Sequence, residues 1–117
     1  MTRKLVRSAV VARGASEAIA ADIELAVGEA LVNAYQHAYG GEAGPLNVII
    51  GFDGERFVVE IRDHGKSITP PVIPEQPPTG ERGGRLFIIG RIMDEVKIIH
   101  PIAEGCGSAL LMAKRIG

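Results

Sequence analysis

The stretch from Ser16 to Tyr39 constrains the fold more than any other. Its apolar residues Ile23, Val27, Ala30, Leu31, Ala34 and Ala38 recur at steps of three and four. That is the period of a helix with one apolar face, and such a face must be covered by another layer. Ser16 suits the N-cap, while Glu17, Asp22 and Glu24 put negative charge toward the positive end of the helix. Gly40-Gly41 stops it. Ahead of it, residues 3 to 13 carry Leu5, Val6, Ala9 and Val10 at helical spacing, and Gly14 ends that shorter helix.

The period then changes from helical to alternating. Residues 46 to 52 and 56 to 62 are β-rich, and Asp53-Gly54 between them signals a hairpin. The segment from Asp63 to Arg82 follows, rich in Gly and holding five of the seven prolines. A stretch of that length without regular structure usually serves as a lid or a binding loop. Gly83-Gly84 leads into an apolar run, Leu86 to Ile92, that predicts a short helix, and residues 95 to 100 and 106 to 113 predict two more strands. The order helix, helix, strand, strand, loop, helix, strand, strand predicts an α/β (α+β) two-layer sandwich. Its sheet would be mixed and mostly antiparallel, with the first two and last two strands as antiparallel neighbours and the helices on one face.

The 117 residues are the size of one domain, 1–117, and 46% are apolar, enough for a packed core. A net charge of −1 with 23% charged residues gives no electrostatic footprint for nucleic acid. The lone Cys106 cannot form an internal disulfide, which fits a reducing compartment. No stretch approaches the roughly 20 apolar residues that span a bilayer, and no signal peptide is legible. The expectation is a cytoplasmic protein that neither crosses a membrane nor binds nucleic acid directly.

Four constellations could carry chemistry. Glu29, Asn33 and His37 stand four residues apart, so each is rotated by about 40° from the last and the three line one edge of the apolar stripe. A carboxylate and a carboxamide one turn apart suit a hard ion such as Mg²⁺. The same residues also suit a plain polar flank with a histidine near the helix C-terminus. Asp63-His64-Gly65 lies where a strand gives way to the loop: a carboxylate there could accept a hydrogen bond from an amine, or simply close an Asx turn. Gly83-Gly84-Arg85 opens a helix, where backbone N–H groups and a guanidinium could meet phosphate, or where an ordinary helix begins. Gly105-x-Gly107-Ser108 could bring a hydroxyl to a phosphate or form a turn into the last strand.

Taken together in this order, these pieces resemble a known superfamily. The run from Glu29 through Asn33 and His37 to Tyr39 resembles the asparagine-bearing motif of the Bergerat-fold (histidine-kinase-like) ATPases. The stretches Asp22 to Glu29 and Leu86 to Val96 are similar to one branch of it, the anti-sigma-factor serine/threonine protein kinases of bacteria. The resemblance runs over about residues 16 to 113 and implies a Bergerat ATP-binding fold with a flexible lid at about 64–85. It implies ATP and Mg²⁺ as cofactors, Glu29 as the catalytic base and Asn33 as the metal ligand. Nucleotide-binding roles are implied for Asn33, His37, Asp63, Gly65, Ile68, Gly83, Gly84, Arg85, Leu86, Gly107 and Ser108. The chain departs from the family at Ser67, where a glycine is usual, and at Gly83-Gly84-Arg85-Leu86, where Gly-Arg-Gly-Leu is usual. Members of the branch begin with a strand ahead of the first helix, so the sheet is expected to lack that edge strand.

The implied activity is phosphorylation of a small anti-sigma-antagonist protein in a partner-switching pathway. A sigma factor or other regulator would be a further partner, and a homodimer is left open. Two alternatives differ in kind. One is a nucleotide-responsive binding module with little or no kinase activity. The other is a detached histidine-kinase ATPase domain, against which stands the lack of a phospho-accepting helical hairpin in these 117 residues.

Overall fold

The computed structural model describes residues 2–40, 44–65, 84–101 and 107–117, with His37 described by its backbone alone. Seven elements follow one another: α1 (Thr2–Ala12), α2 (Glu17–Tyr39), β1 (Leu46–Asp53), β2 (Arg56–Asp63), α3 (Gly84–Ile92), β3 (Glu95–Ile99) and β4 (Ser108–Arg115). The strands form one sheet in the order β1-β2-β4-β3. Every pairing is antiparallel, so the sheet is not mixed among the described residues. Both expected hairpin pairs are present, and the pairing of β2 with β4 joins them.

The long helix forms as its pattern predicts. The Ser16 Oγ accepts the Ile19 N–H at 3.2 Å, which satisfies one of the free donors of the first turn. At the other end Gly40 adopts the left-handed conformation (φ 62°, ψ 26°) and donates to the Tyr35 carbonyl. Ile23, Val27 and Ala30 are wholly buried along the stripe.

The sheet offers α2 a matching face. In β2 every second residue is buried, namely Phe57, Val59, Ile61 and Asp63. Leu110 and Met112 of β4 pair with Ile61 and Val59 and extend that face. Leu86 and Ile89 of α3, and Val6 and Val10 of α1, complete the core. Full burial of a side chain such as Ile23 is worth about 1.5–3 kcal/mol.

Some limits differ from the sequence expectation. The turn residues of the first hairpin are Gly54-Glu55, closing on the Asp53–Arg56 pair. Gly54 has φ 62° and Glu55 does not share the positive φ, the pattern of a type II′ turn. Leu5 is 64% exposed because α1 buries only the narrow strip of Val6 and Val10. Among the described residues no helix is long and apolar enough to cross a membrane.

Candidate functional site

Chemistry-bearing residues gather at one end of the seam between α2 and the sheet. The pairing of β2 with β4 sets Asp63 directly opposite Ser108, and both side chains are buried, at 5% and 6% exposure. Across from them α2 presents Ala30 and Ala34, whose small side chains leave room for a cavity. Asn33, Ile61 and Leu86 line it as well, with Asp63 and Ser108 among its polar groups. Its enclosed volume is ≈ 20 Å³, space for a single water, and beyond that it opens to solvent.

The backbone around Asp63 is tightly organised. The Asp63 Oδ1 accepts the Gly65 N–H at 3.0 Å, and the Gly65 carbonyl accepts the Gly107 N–H at 2.8 Å. Past the Asp63–Ser108 pair the register shifts, with two residues on the β2 side set against one on the β4 side. Gly107 has φ 82°, in the left-handed region that favours glycine. Gly65 is required for a different reason. A Cβ there would lie 2.6 Å from the Cβ and the carbonyl oxygen of Ala38, so Gly65 lets this corner dock against α2 itself.

Two contributors were missed in the sequence. His100 shows no metal-ligand spacing, yet its Nδ1 lies 2.6 Å from the Ser108 Oγ. Extending the Ile99–Ala109 pairing by one residue puts position 100 opposite 108, so strand register would have found it. Tyr39, at the end of the helix, also bonds: its hydroxyl donates to the Pro45 carbonyl at 2.7 Å and accepts the His64 N–H at 2.9 Å. It thereby ties the end of α2 to the entry of β1 and the exit of β2. His64 in turn meets Asn47, with Nδ2 and Nε2 3.4 Å apart.

Glu29 stands one turn before Asn33 on α2. Its Oε2 accepts a hydrogen bond from Arg85 Nη1 at 2.7 Å, joining α2 to the start of α3. Their side chains are 21% and 40% exposed. Gly84 opens α3, and a Cβ there would meet nothing within 4 Å. The structure thus brings together Glu29, Asn33, Asp63, Gly65, Gly84, Arg85, Leu86, Gly107 and Ser108. Ile68, Ser67, Gly83, Cys106, most of the 64–85 segment and the side chain of His37 lie outside the described residues. Among the described residues no three His, Cys, Asp or Glu side chains converge as a metal cluster. A Mg²⁺ held here would therefore rest on few protein oxygens and on phosphate, as that ion commonly does.

The model of the histidine kinase-like ATPase domain family matches residues 1–114. A protein named serine-protein kinase RsbW from Oceanobacillus iheyensis is 35% identical over 106 residues, covering 81% of this chain and 65% of that protein. A protein of the same name from Bacillus mycoides is 30% identical over 109 residues, with 81% and 63% covered. The chain thus spans just under two thirds of the length of these relatives. The solved histidine kinase domain of the E. coli osmosensor EnvZ superposes with a TM-score of 0.56 at 20% identity, over 96% of this chain and 84% of that one. That likeness concerns the fold alone. With this fold and a family model that covers nearly its whole length, the chain belongs to the histidine kinase-like ATPase domain family.

Proposed function

We propose that the chain is an ATP-binding serine/threonine protein kinase of the anti-sigma type, which phosphorylates a small antagonist protein in a partner-switching pathway. The observation that carries this reading is the buried Asp63 beside Ser108, at the end of an apolar cleft whose opposite wall bears Asn33 and, one turn away, Glu29. A buried carboxylate in such a cleft suits the exocyclic amine of adenine, for which the single-water cavity has to widen at its open side. The relatives named serine-protein kinase support the same class.

The donor set fits the cofactors. The Asn33 carboxamide oxygen is a hard ligand suited to Mg²⁺. When bound, Mg²⁺-ATP supplies an activated γ-phosphoryl group. The chain's own contribution is positioning and charge. Asp63 and Ser108 would hold the adenine, and Asn33 would hold the metal. Glu29 takes the proton from the attacking serine hydroxyl as the new oxygen–phosphorus bond forms and the bond to ADP breaks. His37, Ile68, Gly83, Gly84 and the lid segment complete the phosphate side in this reading. The outer faces of α1 and α2, where Leu5 and Leu25 are 64% and 47% exposed, are the docking surfaces for the antagonist and for a sigma factor or other regulator. The proposed setting is the cytoplasm.

The second reading is a nucleotide-responsive module without transfer, and the engagement of Glu29 by Arg85 favours it. One assay separates the two. The chain is incubated with γ-labelled ATP and a candidate antagonist protein. The kinase reading expects label on a serine of the antagonist, falling by at least about 100-fold in Glu29→Ala, the lower end for loss of a general base. Nucleotide binding without any transfer supports the module instead.

A further inference from the structure

The carboxylate assigned as base is held by a guanidinium. Arg85 Nη1 donates to Glu29 Oε2 at 2.7 Å, which takes up one of the carboxylate's acceptor sites and sets a positive charge beside it. Arg85 stands where the glycine-box pattern that the chain resembles has a glycine. Ala38 of α2 lies against Gly65, and Glu29 stands nine residues earlier on the same helix, roughly 13 Å along its axis, which puts the Arg85–Glu29 pair at the end away from the Asp63 corner. A nucleotide with its base at Asp63 extends its phosphates toward that end. The pair is half-open to solvent, which screens it, so it can be exchanged for a stronger partner.

We propose that Arg85 is a latch on Glu29 that the terminal phosphate of ATP releases. A γ-phosphate carries more charge than a carboxylate and offers three acceptor oxygens to the guanidinium fork. Arg85 leaves Glu29 for that phosphate, and the carboxylate gives up its guanidinium partner only when a transferable group is present. ADP is one phosphate shorter and leaves the latch closed. Arg85 is thus a positioning residue that ties the availability of the base to the nucleotide's state. The proposal rests on the ATP-binding reading above.

Competition for one guanidinium has a signature that simple structural support lacks. Removing the charge of Glu29 favours ATP, but only while Arg85 is present. The test is calorimetric titration of the full chain with Mg²⁺-ADP and Mg²⁺-ATP, for wild type, Glu29→Gln, Arg85→Ala, Arg85→Lys and the Glu29→Gln/Arg85→Ala double variant, each checked for folding by circular dichroism. Arg85→Ala is expected to weaken ATP about tenfold, the equivalent of one charge-assisted contact, and to move ADP less than about twofold. Glu29→Gln is expected to tighten ATP by about three- to fivefold, the worth of the broken pair, and to do nothing in the Arg85→Ala background. Arg85→Lys keeps part of the preference for ATP. Equal effects of Arg85→Ala on both nucleotides, no tightening in Glu29→Gln, or a tightening that persists without Arg85 would each overturn the latch while leaving nucleotide binding intact. Wild type that binds neither nucleotide overturns the ATP reading and the latch with it.

Discussion

Gly65 shows how a single atom sets the corner of the site. Its Cα packs so close to α2 that a Cβ would stand 2.6 Å from the Ala38 carbonyl oxygen, a distance that backbone cannot relieve cheaply. Gly65→Ala is therefore expected to lower the unfolding free energy by about 1–3 kcal/mol, the range for overpacking. Urea unfolding reads this as a lower midpoint at unchanged slope, and a shift below about 0.5 kcal/mol would contradict the close approach. The sequence reading expected this glycine to admit a ligand, because a lone residue at a strand end carries no sign of which helix lies over it. For Asp63 the sequence left a ligand contact and an Asx turn open, and the carboxylate does accept the Gly65 N–H of such a turn. Tyr39 and His100 were not legible. Their partners, Pro45 with His64 and Ser108, become neighbours only once the strands are paired.

At the scale of elements, α2 is the part that local rules specify most fully. Its stripe, its Ser16 cap and its Gly40 stop agree with one another. Ser16→Ala removes an acceptor from the Ile19 N–H and is expected to cost about 1 kcal/mol, within the 0.5–2 kcal/mol range of N-cap losses. Thermal unfolding of the variant measures it, and an unchanged midpoint would show that the cap contributes nothing. α1 is attached to α2 by charge as well as by Val6 and Val10. Arg7 bonds Glu17 at 3.0 Å and Glu24 at 3.1 Å. Hydrogen bonds that its guanidinium donates, to Glu17 first and then to Glu24, hold it above the usual arginine range, so it is charged at every pH a protein survives. Strand limits were harder to read. The last strand runs from Ser108 to Arg115 instead of over 106 to 113, because its pairing with β2 reaches Arg56 opposite Arg115. Local pattern does not hold that register.

For the whole molecule, the decisive fact is the order β1-β2-β4-β3. Each hairpin was legible alone, but only the joining of β2 to β4 sets Asp63 beside Ser108 and under Asn33. Chemistry-bearing residues that sit in separate constellations in the sequence become one site through that single pairing. The central claim is that this site takes Mg²⁺-ATP with its base on Asp63 and its metal on Asn33. Titration of a fluorescent ATP analogue, with and without Mg²⁺, tests it directly in wild type, Asp63→Asn and Asn33→Ala. Asp63→Asn is expected to weaken binding at least about tenfold under both conditions, as loss of a charge-assisted hydrogen bond does. Asn33→Ala is expected to remove mainly the Mg²⁺-dependent part. Binding unchanged in both variants would contradict the assignment of the site.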